Sequence, residues 1–485
     1  MAYQLNKNYV LYSYGGTGQC LTVYGGTANN NQNVCVFRKV GTSAQNWTIK
    51  AFGSNLKIVT GVNQNYALNY YWSAGQGRPG NCDIYPQSGN DADSSIELNP
   101  VSTDVYRIKL KNYDLYLTAK GTGDNGNSPD VRWEAPIGMD KNYLELAPQE
   151  WRLVDPAEKG IRAPFIFAGY FKEGVMYSYT DAQLSGLGNA TEFVINGGAY
   201  SGYFKDDGTP NEIAINNYAA SAAQMAKRLY TMYGKQVWIG TPEVWYTVWK
   251  TEAAAKKAGN EIVKFLNTVM DEFVNNGLDF NTVVKGIYMH DENIYEPIDA
   301  DKLPTSNYQV SVFQAISNYA ASKGKKMMWS PSWSTTNLNR AARVIHQTNI
   351  FDYAVIQPGY FFNSENGNEL NCGAIRKSIA MQRLCYAAGA PILHESVISC
   401  YKTVIGCQME IDWRYNAVGY EEFKPRYETY ETVFNGSYGA YDKYNANFGF
   451  YFGCPAVAGI FNPEQIATVN EGYDRVKAVV NNFFK

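Results

Sequence analysis

Histidine is scarce in this 485-residue chain, with three copies, which argues against a histidine-built metal centre. Charge is sparse too. Charged residues make up 18% of the chain and the formal net charge is −3, so the basic footprint that nucleic acid requires is missing. No polybasic run addresses an anionic membrane, and no apolar run approaches the ~18 residues of a spanning helix. The eight cysteines include no CxxC pair, which weakens zinc and thioredoxin-type readings. Cys20 with Cys35, or Cys400 with Cys407, would each close a short loop, but free buried thiols are the favoured state. The opening MAYQLNKNYVLYSY has no apolar core flanked by basic residues, so it does not read as a signal peptide. The protein is expected to be extracellular or released, without a recognisable export signal in this chain.

Aromatic residues, in contrast, reach 15%, with 39 Tyr and 10 Trp. Rings offer flat faces to sugar C–H groups, and amides bind hydroxyls through paired hydrogen bonds. The same residues also stock the turns and edges of β-rich surfaces, so composition alone leaves both roles open.

The length exceeds one ordinary domain, and the first third contains a repeat. CLTVYGG (Cys20–Gly26), YALNYYW (Tyr66–Trp72) and LYLTAKG (Leu115–Gly121) follow one pattern. Each leads through a Gly/Asn-rich turn to a short strand ending in an aromatic: Phe37, Tyr85 and Trp133. A fixed period with short alternating strands predicts three equivalent β units around one core. QNW (Gln45–Trp47) and QEW (Gln149–Trp151) close units one and three, and Ile96 takes the core position in unit two.

This pattern resembles the ricin-B-type β-trefoil lectins with their QxW repeats. The resemblance implies glycans as partners and a sugar site per unit: Thr22, Phe37 and Gln45; Asn69 and Tyr85; Thr118, Trp133 and Gln149. It implies an Asp where Thr22, Asn69 and Thr118 stand. A carboxylate accepts from two hydroxyls at once and a threonine cannot copy that, so some of these sites are altered. Trp47 and Trp151 are expected to be core.

After the polar stretch RLVDPAEKGIRAP, apolar runs of strand length alternate with amphipathic helices. Strands are predicted at 163–171, 190–198, 235–243, 283–292, 325–333, 351–360, 405–413 and 448–455. Eight buried strands separated by helices predict a (β/α)8 barrel. The chain is therefore expected to be multidomain: an all-β trefoil over residues 1–153, a linker over 154–163, and an α/β (β/α)8 TIM barrel over 164–485.

Such barrels carry their sites at the C-terminal strand ends. Strand two contributes Asn196, strand three Glu243 and Trp245, strand four His290, Asp291 and Glu292. Strand five contributes Trp329 and Trp333, strand six Gln357 and Tyr360, strand seven Glu410, Asp412 and Trp413. Strands four and seven face each other across an eight-stranded barrel. Two carboxyl groups across a glycosidic bond are what glycoside hydrolysis needs. The positions resemble those of the retaining barrel glycosidases, which implies Glu292 as acid/base and Glu410 as nucleophile. GIYMHDENIY, FDYAVIQPGYFF, QMEIDWRY and the run from Arg426 to Gly453 also resemble an uncharacterised bacterial barrel family grouped with the glycosidases. Asp291 competes with Glu292, and Asp412 with Glu410, for the two roles. His290, Asn196, Trp245, Trp329, Trp333, Gln357, Tyr360 and Trp413 are the candidate substrate contacts. No cofactor or metal is called for, and His346 reads as structural. Two functions stay open: a carbohydrate-active enzyme, and a non-enzymatic glycan-binding effector or toxin component.

Overall fold

A computed structural model describes residues 3–13, 19–37, 40–71, 80–87, 91–101, 105–120, 131–138, 147–156, 160–172, 175–176, 179–197, 202–205, 208–243, 250–362, 373–375, 378–379, 383–386, 392–393, 403–435, 447–451, 474, 477–478 and 481.

The first third is antiparallel, with four strands in each of three units. These are Asn8–Ser13, Cys20–Val23, Gln32–Phe37 and Trp47–Phe52; Asn55–Thr60, Tyr66–Tyr71, Asn81–Pro86 and Ile96–Pro100; and Val105–Leu110, Tyr116–Ala119, Val131–Glu134 and Glu150–Val154. The first and last strands of the units pair in a closed ring of six. Their middle strands form three hairpins. Two of the hairpins pair onto Asn81–Pro86 of the third and so close one end of the ring. This is a β-trefoil.

The repeat explains the fold. Leu21, Leu68 and Leu117 enter one core from equivalent positions, beside Trp47, Ile96 and Trp151, and all six are buried. The indole N–H of Trp47 donates to the Leu21 carbonyl at 2.9 Å, and that of Trp151 to Leu117 at 2.8 Å. A buried indole needs such a partner, so the QxW tryptophan ties the last strand of its unit to the hairpin. Cys20, Cys35, Cys82, Cys385 and Cys407 are buried thiols outside any disulfide. The loop closures considered for Cys20–Cys35 and Cys400–Cys407 are therefore not made; Cys400 itself lies outside the described residues.

The second architecture is a closed ring of eight parallel strands. In order these are Arg162–Ala168, Glu192–Gly197, Gln236–Gly240, Val284–Met289, Lys326–Trp329, Tyr353–Ile356, Val404–Glu410 and Asn447–Tyr451, hereafter barrel strands one to eight. Helices pack outside. The helix Glu212–Tyr233 begins at Asn211, whose side chain accepts from the Ala214 amide, and ends at Gly234, which adopts φ 64°. Its buried face is rich in alanine (Ala219, Ala222, Ala223, Ala226), and small residues at helical spacing bring a helix close to the sheet. Among the described residues, no helix is long and apolar enough to cross a membrane.

Alternation along the strands divides the core. Phe165, Val194, Trp238, Tyr288, Met328 and Val355 fill the barrel interior. Their neighbours Ile166, Ile195, Ile239, Met289, Trp329 and Ile356 pack outward in the layer shared with the helices. Trp238 fits only because strand four has glycine beside it: a Cβ at Gly286 would lie 2.3 Å from the indole ring. The Trp238 N–H donates to Glu192 at 2.6 Å near the lower end of the barrel.

Candidate functional site

Strand alternation continues past the last paired residues and decides which side chains reach the barrel mouth. On strand four, Tyr288, His290 and Glu292 share the inward parity, and all three line a cavity of about 300 Å³. Met289 and Asp291 have the outward parity. Asp291 is 2% exposed and does not line the cavity; its carbonyl accepts from the Trp329 indole at 2.6 Å. Of these two adjacent acids, Glu292 lines the cavity and Asp291 does not. The remaining cavity walls are Phe165, Phe167, Asn196, Gln357, Phe362, Gln408 and Tyr451.

Glu292 is held firmly. Its carbonyl accepts from the Ser332 amide at 2.9 Å and from Asn337 Nδ2 at 3.1 Å, so the loop after strand five fixes the end of strand four. The carboxyl group is open to the cavity yet ringed by protein. That desolvation raises its pKa, the Gln357 hydrogen bond lowers it, and the nearby charge of Glu243 raises it further. Glu243, at the end of strand three, is itself raised by desolvation. His290 takes a hydrogen bond from neither neighbour at Nδ1, and burial pushes its pKa down to about 4, so the ring is neutral at physiological pH.

Glu410 ends strand seven with inward parity but lies behind the cavity surface, 1% exposed. Tyr430 Oη donates to its Oε2 at 2.9 Å, and the Gly359 amide donates to Oε1 at 3.3 Å. Burial pushes its pKa up to about 8 against these donors, with the charge of Glu292 adding to the rise. The charge of Glu292 thus reaches Glu410, and each of the two carboxyl groups is pushed toward its protonated form.

Asn196, from strand two, is 4% exposed and lines the cavity. It fits because strand three has glycine opposite: a Cβ at Gly240 would lie 2.3 Å from Asn196 Oδ1. Gln357 donates to the Ser330 carbonyl at 2.7 Å, and Ser330 Oγ donates to Gln408. Gln408, Phe362, Tyr451 and Tyr430 were not singled out from the sequence. Gln408 was readable, since it shares the parity of Glu410 two residues on. Tyr430 sits on the helix Phe423–Asn435, and only tertiary structure brings it to Glu410.

Several other candidates have structural roles instead. Asp412 accepts from the Arg414 amide at 2.8 Å and grips its guanidinium at 2.6–3.1 Å, so it caps a turn and anchors an arginine. Trp329 is fully buried and stacks on Phe351 at 5.0 Å. Trp333 packs in the same outer layer. Tyr360 packs edge-on against Tyr430 and does not line the cavity. His346 is buried, and its Nε2 accepts from the Leu384 amide. Trp245, His394 and the side chain of Trp413 lie outside the described residues.

In the trefoil, the strand register corrects the repeat. Leu21 faces Val36, Leu68 faces Ile84, and Leu117 faces Trp133. Trp133 is thus the equivalent of Val36 and Ile84, one residue short of Phe37 and Tyr85. It is 2% exposed and donates to the Asn69 carbonyl at 3.1 Å, so it belongs to the core. Thr22 and Thr118 are also internal: each is buried and accepts from Gln45 or Gln149 at 3.2 and 3.1 Å. Those four residues are buried and brace their units. Phe37 is half-buried. Tyr85 is 44% exposed, on the same hairpin as Asn69, which donates to Asp83 at 2.9 Å.

No protein-family model matches the chain, and no curated protein matches it. Solved structures are similar to part of it. The designed threefold-symmetric protein ThreeFoil is 20% identical over 30% of this chain and 98% of its own, with a TM-score of 0.24. A ricin B-like lectin of Macrolepiota procera, solved in complex with lactose, is 12% identical over 32% of this chain and 98% of its own, with a TM-score of 0.25. The exo-β-1,3-galactanase 1,3Gal43A of Clostridium thermocellum is 20% identical over 30% of each chain, with a TM-score of 0.25.

Proposed function

We propose that this is a carbohydrate-active protein whose trefoil holds a glycan while the barrel hydrolyses a glycosidic bond. One observation carries the reading. Glu292 and Glu410 end strands four and seven, three places apart in the ring of eight, with the same inward parity, and the charge of Glu292 raises the pKa of Glu410 beside a cavity lined by amides and aromatics. Two carboxyl groups with displaced pKa values are the working parts of glycoside hydrolysis.

In the retaining form, the protonated Glu292 gives its proton to the leaving oxygen as the C1–O bond breaks. Glu410 forms a bond to C1 in the same step in its ionised form, which its burial disfavours until the pH nears 8. Water then attacks C1, Glu292 takes the water's proton, and Glu410 is released. Holding both modules on one chain raises the local concentration of substrate without any new contact. In the trefoil, the exposed Tyr85 ring on the hairpin that carries Asn69 supports unit two as the docking point.

A panel of chromogenic glycosides, assayed with the wild type, Glu292→Gln and Glu410→Gln, tests the reading. Turnover by the wild type and its loss in both variants is expected, with the anomer of the product followed by NMR. If no member is hydrolysed while glycans still bind, the enzyme reading fails. A second reading would then stand: Glu410 pins the strand-six loop through Gly359, and the barrel is a glycan-binding module. The 1% exposure of Glu410 favours it.

A further inference from the structure

Among the described residues no tryptophan lines the barrel cavity. Phe362 lines the cavity and is 37% exposed. A partly uncovered phenylalanine forgoes some of its hydrophobic burial, and one that lines a cavity beside amide side chains offers a flat apolar face to a ligand. This ring is also held from several sides. Arg414 lies over it at 5.2 Å, Phe361 meets it edge-on at 5.2 Å, and Tyr451 edge-on at 6.0 Å. Arg414 is itself fixed by three side-chain hydrogen bonds to Asp412 and lies over Phe423 at 4.5 Å. The backbone of the same loop is pinned by Gly359 to Glu410, by the Phe361 amide to Tyr430, and by the Phe361 carbonyl to Arg426 at 3.1 Å.

The charges around the cavity narrow the ligand. Among the described lining residues none is Lys or Arg, and His290 is neutral. Glu292 lines the cavity, and the charge of Glu243 is close enough to raise its pKa. Arg414 is committed to Asp412. A uronic or sialic acid would bring a carboxylate beside Glu292 and Glu243, and no cation among the described lining residues would meet it. Asn196, Gln357 and Gln408 instead offer amide hydrogen bonds to neutral hydroxyls.

We infer that Phe362 is the stacking platform for the apolar face of a neutral pyranose ring, and that Asp412 and Arg414 are the positioning pair that orients it. This rests on the carbohydrate reading above, but not on turnover. Its test uses the intact chain and two readouts. Saturation-transfer NMR on Glu292→Gln, with methyl β-D-glucopyranoside, methyl β-D-galactopyranoside, methyl α-D-mannopyranoside and methyl β-D-glucuronide, reports binding. Kinetics on the corresponding chromogenic glycosides report KM and kcat. At least one neutral glycoside is expected to bind, about tenfold more weakly after Phe362→Ala and with little change after Phe362→Tyr. Arg414→Met is expected to raise KM severalfold at nearly constant kcat. Phe362-dependent binding without hydrolysis keeps the platform and sinks the enzyme reading. Hydrolysis with KM unchanged by Phe362→Ala sinks the platform and keeps the enzyme. Preference for the glucuronide, or an equal loss in Phe362→Tyr and Phe362→Ala, overturns the inference as stated.

Discussion

The Tyr430 hydroxyl donates to Glu410 Oε2 at 2.9 Å and at the same oxygen accepts the Phe361 amide, also at 2.9 Å. One phenol thus joins a buried carboxyl of strand seven to the loop after strand six. The Glu410 pKa, near 8 against an ordinary 4.5, gives this a pH signature. A carboxyl that is harder to ionise when folded makes the native state bind more protons than the unfolded one between those values. Stability is therefore highest below about pH 4.5 as far as this group is concerned, and it declines as pH rises through about 8. Glu410→Gln is expected to flatten that decline in Tm. If Glu410 is the nucleophile, kcat/KM climbs through the same region as the group ionises. Tyr430→Phe removes a donor to the ionised form, so the limb moves to higher pH. A limb that stays in place would detach Tyr430 from the titrating group.

Parity along strand four separates two adjacent acids. Glu292 faces the cavity, whereas Asp291 is buried outside it. Glu292→Gln is expected to lower kcat/KM by about 10²–10⁴, the usual range for a lost proton-transfer group. Asp291→Asn is expected to leave kcat within about threefold while lowering Tm. Equal losses of kcat in the two variants would show that both acids reach the substrate.

The eight barrel strands were legible because each is an apolar run buried on both faces, and the intervening helices carry clear periodicity. The absolute phase of each strand was harder to read. A run apolar on both faces hides which side points inward, so Trp329 and Trp333 read as rim residues although they pack in the outer layer. Phase showed only where polar residues sat two apart, as at His290 with Glu292 and at Gln408 with Glu410. Phe362 follows a strand end and carries no periodic signal, and Arg414, which lies over its ring, is 52 residues further along the chain.

In the trefoil, the aromatic position of the third unit was misread by a single residue. The aromatic spacing aligned Trp133 with Phe37 and Tyr85, but pairing of Leu117 with Trp133 turns that side chain into the core. A one-residue shift exchanges the two faces of a strand. Trp133→Ala is expected to destabilise the trefoil by about 3–5 kcal/mol. Tyr85→Ala at an exposed position should stay within about 0.5 kcal/mol yet weaken glycan binding. Chemical denaturation with a parallel glycan-array measurement separates the two. A stable Trp133→Ala that has lost glycan binding would return Trp133 to the surface.

Gly286 sets the floor beneath the candidate site. A Cβ there would meet the Trp238 ring at 2.3 Å and the Lys326 carbonyl at 2.4 Å. The ring cannot swing aside freely, since its N–H is tied to Glu192 and its face meets Tyr353 edge-on at 5.8 Å. Nor can the carbonyl move, since strands four and five pair at Gly286 and Lys326. Gly286→Ala is thus an overpacking change of about 1–3 kcal/mol, and the strain falls directly below Tyr288, which lines the cavity. Trimming the ring in Gly286→Ala/Trp238→Leu relieves one of the two clashes. The double variant should therefore lose less than the sum of its single losses, by about 0.5 kcal/mol or more in denaturant midpoints. Strict additivity would mean that the ring and the glycine are not coupled, and that the carbonyl contact alone demands glycine at this position.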